Sequence, residues 1–383
     1  MKIVYVYTAL TTVGGADRII TQKANYLADV YKHEVFVVTD SQGGQPYSFP
    51  LSKNVKHIDL NINFEQQYKY NLFVRFFIYR FLMKKYKKKL EACLNNIKPN
   101  ITISTLGRDL DFLTKLNDGS YKVGESHIAR PYVRNLHLME AKGGIYKFVA
   151  NLWRKRQEKA IKELDAFVVL TQNDARNWNN VRKTVIIPNA MTLRPDKYSI
   201  CTNKHVISVG RYNEQKGYDL LIQAWLFVVQ KHPDWTIDIY GEGELHNELQ
   251  KQICNLKLEK QIHLCKPVTN IIQKYIESSF YVMSSRFEGF GLVLTEAMSC
   301  GLPCISFDCP SGPSEIIKNE EDGLLIENGN IEALAEGICH LIEHNEKRIR
   351  MGKKAQYNIQ RYAPEHIMKK WNELFCNLLQ NKN

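Results

Sequence analysis

The stretch Ser284–Gly301, SSRFEGFGLVLTEAMSCG, decides how the rest of the chain reads. It follows a short apolar run, Phe280 to Met283, of the kind that makes a buried strand. Glu288, Gly289, Phe290 and Gly291 then form a turn with two glycines. From Leu292 and Val293 the pattern is helical through Glu296, until Gly301-Leu-Pro stops it. A strand, a Gly-rich loop and a helix N-terminus in succession aim backbone N–H groups and the positive helix end at an anion, usually a phosphate. Glu288 stands in the loop, and Glu296 lies about 7 Å into the helix at about 1.5 Å per residue. A carboxylate does not help to bind phosphate, so the pair suits hydroxyls beside it, such as those of a sugar or a ribose. The alternative is a plain strand–helix unit with a solvated Glu288 and an exposed Glu296.

The chain of 383 residues is longer than one core usually organises, which predicts two domains. With 44% hydrophobic and 24% charged residues it has a globular composition. The nine cysteines are scattered without a Cys-x-x-Cys pair, which argues against a disulfide framework or a zinc site and for a reducing compartment. Cys300, Cys304 and Cys309 read as small core residues. Lys2 to Leu10 is too short for a secretory signal and lacks a cleavage site. No apolar run reaches the roughly 18 residues of a membrane span, so a soluble or peripheral protein is expected. Charge is uneven: residues 1–190 carry 30 Lys and Arg against 16 Asp and Glu, and the remainder 22 against 24. A basic first half points to a polyanionic ligand or surface, either nucleic acid or an anionic membrane.

In chain order, Lys2–Tyr7, a loop with Gly14-Gly15, a helix from Ala16 and the run Glu34–Thr39 make a βαβ opening. Further strands are expected at Ile101–Ser104, Ala166–Leu170 and Val185–Ile187, with a strand end at Val123–His127. Strands alternating with helices predict a doubly wound parallel sheet. The Gly14-Gly15 loop is not a dinucleotide fingerprint, since G-x-G-x-x-G is missing. Leu72–Leu90 reads as a basic amphipathic helix. Leu72, Phe76, Tyr79, Met83, Tyr86 and Leu90 fall on one side, Phe73, Phe77 and Phe81 broaden it, and seven basic residues crowd around. Trp153-Arg-Lys-Arg156 is a second basic cluster. Such a helix suits an anionic membrane surface; a core helix with a solvated basic end is the alternative. Met191–Asn203 is a polar stretch suited to a linker.

The second half repeats the alternation, with strands at Val206–Val209, Thr236–Tyr240, Ile262–Leu264, Phe280–Met283 and Cys304–Phe307. Gly210-Arg211 ends the first of these, Lys216-Gly217 follows, and a helix runs from Tyr218 to Gln230. Arg211 and Lys216 on one strand-to-helix loop make a cationic pair suited to a diphosphate. Gly241-Glu-Gly243 turns into another helix. Ser314 is expected to cap a further helix, and the chain ends in a helix around Ile367–Leu379.

These motifs, in this order, resemble the retaining glycosyltransferases with the GT-B fold, family 4 in particular. EGFGLVLTE matches the family's Glu-(seven residues)-Glu motif. VGRYNEQKG matches its Val-Gly-Arg … Lys-Gly motif, and Gly14-Gly15-Ala-Asp-Arg18 its Gly-Gly-x-acid-Arg loop. The resemblance implies an α/β fold of two Rossmann-like domains with parallel sheets facing across a cleft. They would span 1–190 (basic, acceptor) and 204–362 (nucleotide sugar), with a linker at 191–203 and a last helix, 363–383, crossing back. It implies that Glu296 binds ribose hydroxyls, that Glu288 contacts the transferred sugar, and that the backbone from Phe290 to Val293 meets sugar and diphosphate. Gly14, Gly15, Gly210 and Gly241 would border the donor, Arg211 and Lys216 would neutralise the leaving diphosphate, and His127 would reach the transferred sugar.

The expected activity is a hexosyltransferase moving a hexosyl or N-acetylhexosaminyl unit from a UDP-sugar to a lipid-linked glycan. The expected setting is capsule, exopolysaccharide or lipopolysaccharide biosynthesis, on the inner face of the cell membrane. Retention by double displacement would need a carboxylate nucleophile, and none is evident in the first half. The resemblance implies front-face attack instead, with no cofactor and no metal. Asp109-Leu-Asp111 has the spacing of a metal motif but sits in the first half and is taken as coincidence. A UDP-sugar 2-epimerase of the same fold and a non-catalytic nucleic-acid-binding protein are the alternatives; no nucleic-acid motif is present.

Overall fold

The computed structural model describes residues 1–12 and 14–380, without the side chains of Leu72, Arg134 and Asn135; Val13, within the Thr8–Gly15 loop, lies outside the described residues, as does the Leu72 side chain assigned above to the apolar face. The chain divides into two compact units, Met1–Pro188 with Ile367–Asn383, and Asn189–His366.

The first unit is built on seven parallel strands: β1 (Lys2–Tyr7), β2 (Glu34–Thr39), β3 (Val55–Asp59), β4 (Ile101–Ser104), β5 (Tyr121–Glu125), β6 (Ala166–Val169) and β7 (Thr184–Ile186). Their order is β3-β2-β1-β4-β5-β6-β7. The reversal beside β1 puts the turns after β1 and β4 at a topological switch point, where open α/β sheets gather their ligands. Central strands are buried on both faces, hence their apolar runs. β3, an edge strand, reads Val-Lys-His-Ile-Asp and was not expected. The helix Gly15–Asp29 follows β1, and the final helix Pro364–Gln380 buries Ile367, Met368, Trp371 and Phe375.

The expected basic helix spans Leu72–Ile97. Its buried stripe is Leu82, Tyr86, Leu90, Leu94 and Ile97, at helical spacing against β1, β2 and the short helix Leu110–Leu113. Phe76 is exposed with Phe73, Phe77 and Phe81, and full burial begins at Leu82, nearly two turns further on.

The second unit carries six parallel strands: β8 (His205–Val209), β9 (Thr236–Tyr240), β10 (Ile262–Cys265), β11 (Phe280–Met283), β12 (Cys304–Phe307) and β13 (Gly323–Ile326), in the order β10-β9-β8-β11-β12-β13. The switch point lies between β8 and β11, where the loops carrying Lys216 and Glu288 emerge. Trp225, Leu221, Val228, Ile237 and Phe280 form part of one apolar core. Residues 191–203 are held on this unit: Met191 N–H donates to the Tyr362 carbonyl at 2.8 Å, Ser199 N–H donates to that of Cys300 at 2.9 Å, and Leu193 and Cys201 are buried. Ser314 is not a cap. The short helix Pro313–Ile316 starts at Gly312, whose φ of 120° and close approach to the Phe290 carbonyl exclude a side chain. All nine cysteines are free thiols, with Cys300, Cys304 and Cys309 buried. No helix among the described residues is long and apolar enough to cross a membrane.

Candidate functional site

Two loops of the second unit are zipped together. Arg286 N–H donates to the Gln215 carbonyl at 2.8 Å, and Gln215 Nε2 donates to that of Phe287 at 3.0 Å. Ser284 Oγ donates to the Lys216 carbonyl at 2.9 Å. Arg286 grips Asp219 with both arms of its guanidinium, at 2.9 and 2.7 Å, the planar bidentate geometry that fixes orientation as well as charge. Gly217, at φ 61°, lies so close to the Ser284 carbonyl that a Cβ could not fit. Gly210 is likewise packed against Gly241: a Cβ on Gly241 would strike the Gly210 carbonyl, and one on Gly210 would strike Lys216.

This zipper brings the sequence-predicted residues of the two loops together. Lys216 Nζ lies 2.7 Å from Glu288 Oε1, and Ser285 Oγ donates to the same oxygen at 2.8 Å. Lys216 and Glu288 are largely buried. Arg211 is exposed on the same loop as Lys216. Gly291, at φ 94° and ψ 52°, starts the helix Leu292–Ser299. Gly289, Leu292 and Val293 are half-buried around it, while Phe290 is buried edge-on against Tyr362 at 5.4 Å. Glu296 is not the exposed residue of the alternative reading: it is buried, accepting from Thr192 Oγ1 at 2.7 Å and Tyr275 Oη at 3.4 Å. Both of these donors are hydroxyls, the kind of group a sugar or ribose presents to a carboxylate.

In the first unit, Gly14 and Gly15 open the helix after β1, and no side chain caps it. Asp17 pins the loop, taking the Thr12 N–H at 2.8 Å and the Tyr7 hydroxyl at 2.6 Å. His127 follows β5. Its Nε2 is 3.4 Å from Glu125 Oε1, and Glu125 is paired with Lys23. Lys23 Nζ also sits 4.5 Å over the ring of Trp371 from the last helix. Burial pushes the His127 pKa down, with Lys23 adding to it and Glu125 opposing, so the imidazole is neutral near pH 7. Burial also lowers Lys23 against the pull of Glu125. In Glu125 burial works the other way but is outweighed by Lys23 and His127, and the carboxyl is held below its ordinary range.

Sequence reasoning did not find Thr192, Tyr275, Lys23 or Glu125, whose partners are far away along the chain, nor Ser285, which bonds Glu288 three positions on through a local turn. Asp109 is buried and Asp111 meets Arg156 at 3.3 Å. No group of three or more His, Cys, Asp or Glu able to hold a metal occurs among the described residues.

Residues 193–357 match the family glycosyl transferases group 1. Among curated relatives, an uncharacterized glycosyltransferase of Haemophilus influenzae is 34% identical over 55% of this chain and 61% of its own length. The amylovoran biosynthesis glycosyltransferase AmsD of Erwinia amylovora is 36% identical over 54% of this chain and 61% of its own. The chain thus spans about three fifths of the length of these two relatives. Among solved structures, S. aureus TarM in complex with fondaparinux, alpha-GlcNAc-glycerol and UDP superposes with a TM-score of 0.75 at 18% identity, over 98% of this chain and 100% of that one. That likeness establishes the fold, two Rossmann-like units of the GT-B type. Residues 193–357 of this chain therefore form a domain of the glycosyl transferases group 1 family.

Proposed function

We propose that the protein is a retaining glycosyltransferase of cell-surface polysaccharide biosynthesis (capsule, exopolysaccharide or lipopolysaccharide). It moves a hexosyl or N-acetylhexosaminyl unit from a UDP-sugar to a lipid-linked glycan. The observation that carries this is the pairing of Lys216 with Glu288 beside the helix start at Gly291, with Glu296 buried behind it. Cation, helix N-terminus and hydroxyl-accepting carboxylates are what a nucleoside diphosphate sugar requires. The relative AmsD, named for amylovoran biosynthesis, and the UDP in the TarM complex support the same donor and setting.

On donor binding the diphosphate takes the ammonium of Lys216, and Glu288 is released to accept hydroxyls of the sugar. Arg211 adds a second positive charge on the same loop. As the bond to the anomeric carbon breaks, negative charge grows on the diphosphate, and Lys216, Arg211 and the N-terminus at Gly291 stabilise it without a metal ion. Glu296 holds the ribose. His127, neutral near pH 7, offers a hydrogen-bond donor and an acceptor to the transferred sugar. The basic segment Leu72–Leu90 faces an anionic membrane surface on the cytoplasmic side, where the lipid-linked acceptor resides.

A panel of UDP-sugars incubated with the protein and membrane extract tests this. Release of UDP that depends on the extract, with the sugar appearing in lipid-linked glycan, is the expected result. Conversion of the donor into another UDP-hexose without acceptor would mean an epimerase instead.

A further inference from the structure

The helix Gly144–Lys162 has an exposed N-terminal half that neither the fold nor the donor site uses. Ile145 is 72% exposed, Phe148 63% and Trp153 39%. Its buried residues, Ala150, Gln157 and Ile161, hold it to the sheet mainly through its second half. The helix Leu72–Ile97 behaves the same way: Phe73 is 76% and Phe81 67% exposed, and burial begins at Leu82.

The two overhangs share one layer and one edge. Both helices connect parallel strands, from β3 to β4 and from β5 to β6, so both start at the carboxyl edge of the sheet and run back along it. Right-handed crossovers to strands on the same side put both on one face. The helix Leu110–Leu113 lies between them, with Tyr86 edge-on to Phe112 at 5.2 Å and Arg156 reaching Asp111 at 3.3 Å. Twenty-six helical residues extend about 39 Å at about 1.5 Å each, against about 20 Å for a six-residue strand. The excess projects beyond the edge.

The charge on these segments has one sign. Residues 72–84 contain three Lys and Arg and residues 144–153 one, with four more at 85–89 and three at 154–156; no Asp or Glu lies in 72–90 or 144–157. Exposed aromatic and aliphatic side chains on segments whose own charges are all positive suit the headgroup region of an anionic bilayer, where rings sit at the boundary and Lys and Arg reach phosphates; Arg154 and Arg156 are paired with Glu140 and Asp111. We infer that the N-terminal halves of Leu72–Ile97 and Gly144–Lys162 form one two-pronged docking surface for an anionic lipid membrane. The docking rests on exposure and charge. Its consequence, delivery of a lipid-linked acceptor to the sheet edge that carries Gly14 and His127, rests on the proposed transferase function.

The test uses the full chain with vesicles of phosphatidylcholine, with and without phosphatidylglycerol. Trp153 is the reporter, because the other four tryptophans, Trp178, Trp225, Trp235 and Trp371, are buried. Wild type is expected to sediment with the anionic vesicles at low salt, lose them at high salt, and shift its tryptophan emission to the blue; Trp153→Phe should bind but show no shift. Ile145→Ser with Phe148→Ser, and separately Phe73→Ser with Phe81→Ser, should each weaken binding about tenfold or more, as expected from losing buried apolar area. UDP affinity and the melting temperature should be unchanged in both. Wild type that ignores anionic vesicles at low salt overturns the inference, as does an Ile145/Phe148 variant that binds like wild type. Self-association of wild type that the same variants abolish, without vesicle binding, overturns it in favour of a contact between copies. UDP binding in the same samples reports on the donor site separately.

Discussion

Lys216 Nζ and Glu288 Oε1, 72 positions apart in sequence, stand 2.7 Å apart where the β8 and β11 loops meet. Each is the other's charge partner. On the proposed function, removing either would change both the positive charge offered to a diphosphate and the freedom of the carboxylate to take sugar hydroxyls.

Lys216→Ala and Arg211→Ala should each lower turnover more than they raise the Michaelis constant for the donor. The charge they meet grows as the diphosphate departs, so the contact is strongest in the transition state. A loss of about 100- to 1000-fold in kcat is expected, the range found when one preorganised donor is deleted. Steady-state kinetics with a UDP-sugar checks this. An intact kcat with a raised KM would assign both residues to ground-state binding only.

Lys23→Met should destabilise the first unit by about 3–5 kcal/mol, because it leaves the Glu125 carboxylate buried without its cation. Adding Glu125→Gln removes the stranded charge and should restore most of the loss. Urea unfolding of the single and double variants decides. A single variant within about 1 kcal/mol of wild type would show that the pair contributes little.

Asp40, at the end of β2, gives a pH-dependent prediction. Burial pushes its carboxyl up to about 6, with Ser41 and Arg108 opposing. A raised carboxyl pKa means the folded state holds its proton longer than the unfolded chain. Stability from this group is therefore full below about pH 4 and is lost as pH rises toward 6. Asp40→Asn, which cannot ionise, should match wild type at about pH 4 and exceed it above pH 6 by up to about 2–3 kcal/mol. Thermal melts across that range measure it. A variant less stable than wild type at neutral pH would mean that Arg108 and Ser41 outweigh the burial.

The central strands were legible because burial on both faces leaves apolar runs such as Val4–Val6 and Phe280–Met283. β3 and β13 were not: β3 mixes Lys, His and Asp into its five residues, and β13 is only the four residues Gly-Leu-Leu-Ile. The motif loops could be read because Gly217 and Gly291 need left-handed backbone and local spacing records it. The partners of those motifs could not. Thr192 reaches Glu296 across 104 positions, and Glu125 is brought to Lys23 only by the sheet. Whether Phe76 points inward or outward was not legible, because a helix with aromatics on several faces has no single apolar stripe until packing selects one, here fully from Leu82 onward.

Calorimetric titration of UDP into wild type and Glu296→Gln bears on the nucleotide site itself. Wild type should bind one UDP per chain. Glu296→Gln, with its fold intact, should bind about 10- to 100-fold more weakly, since hydrogen bonds to a charged group contribute roughly 1.5–3 kcal/mol. No heat with wild type, or equal dissociation constants for the two proteins, would contradict a ribose-reading Glu296 and with it the UDP-sugar site.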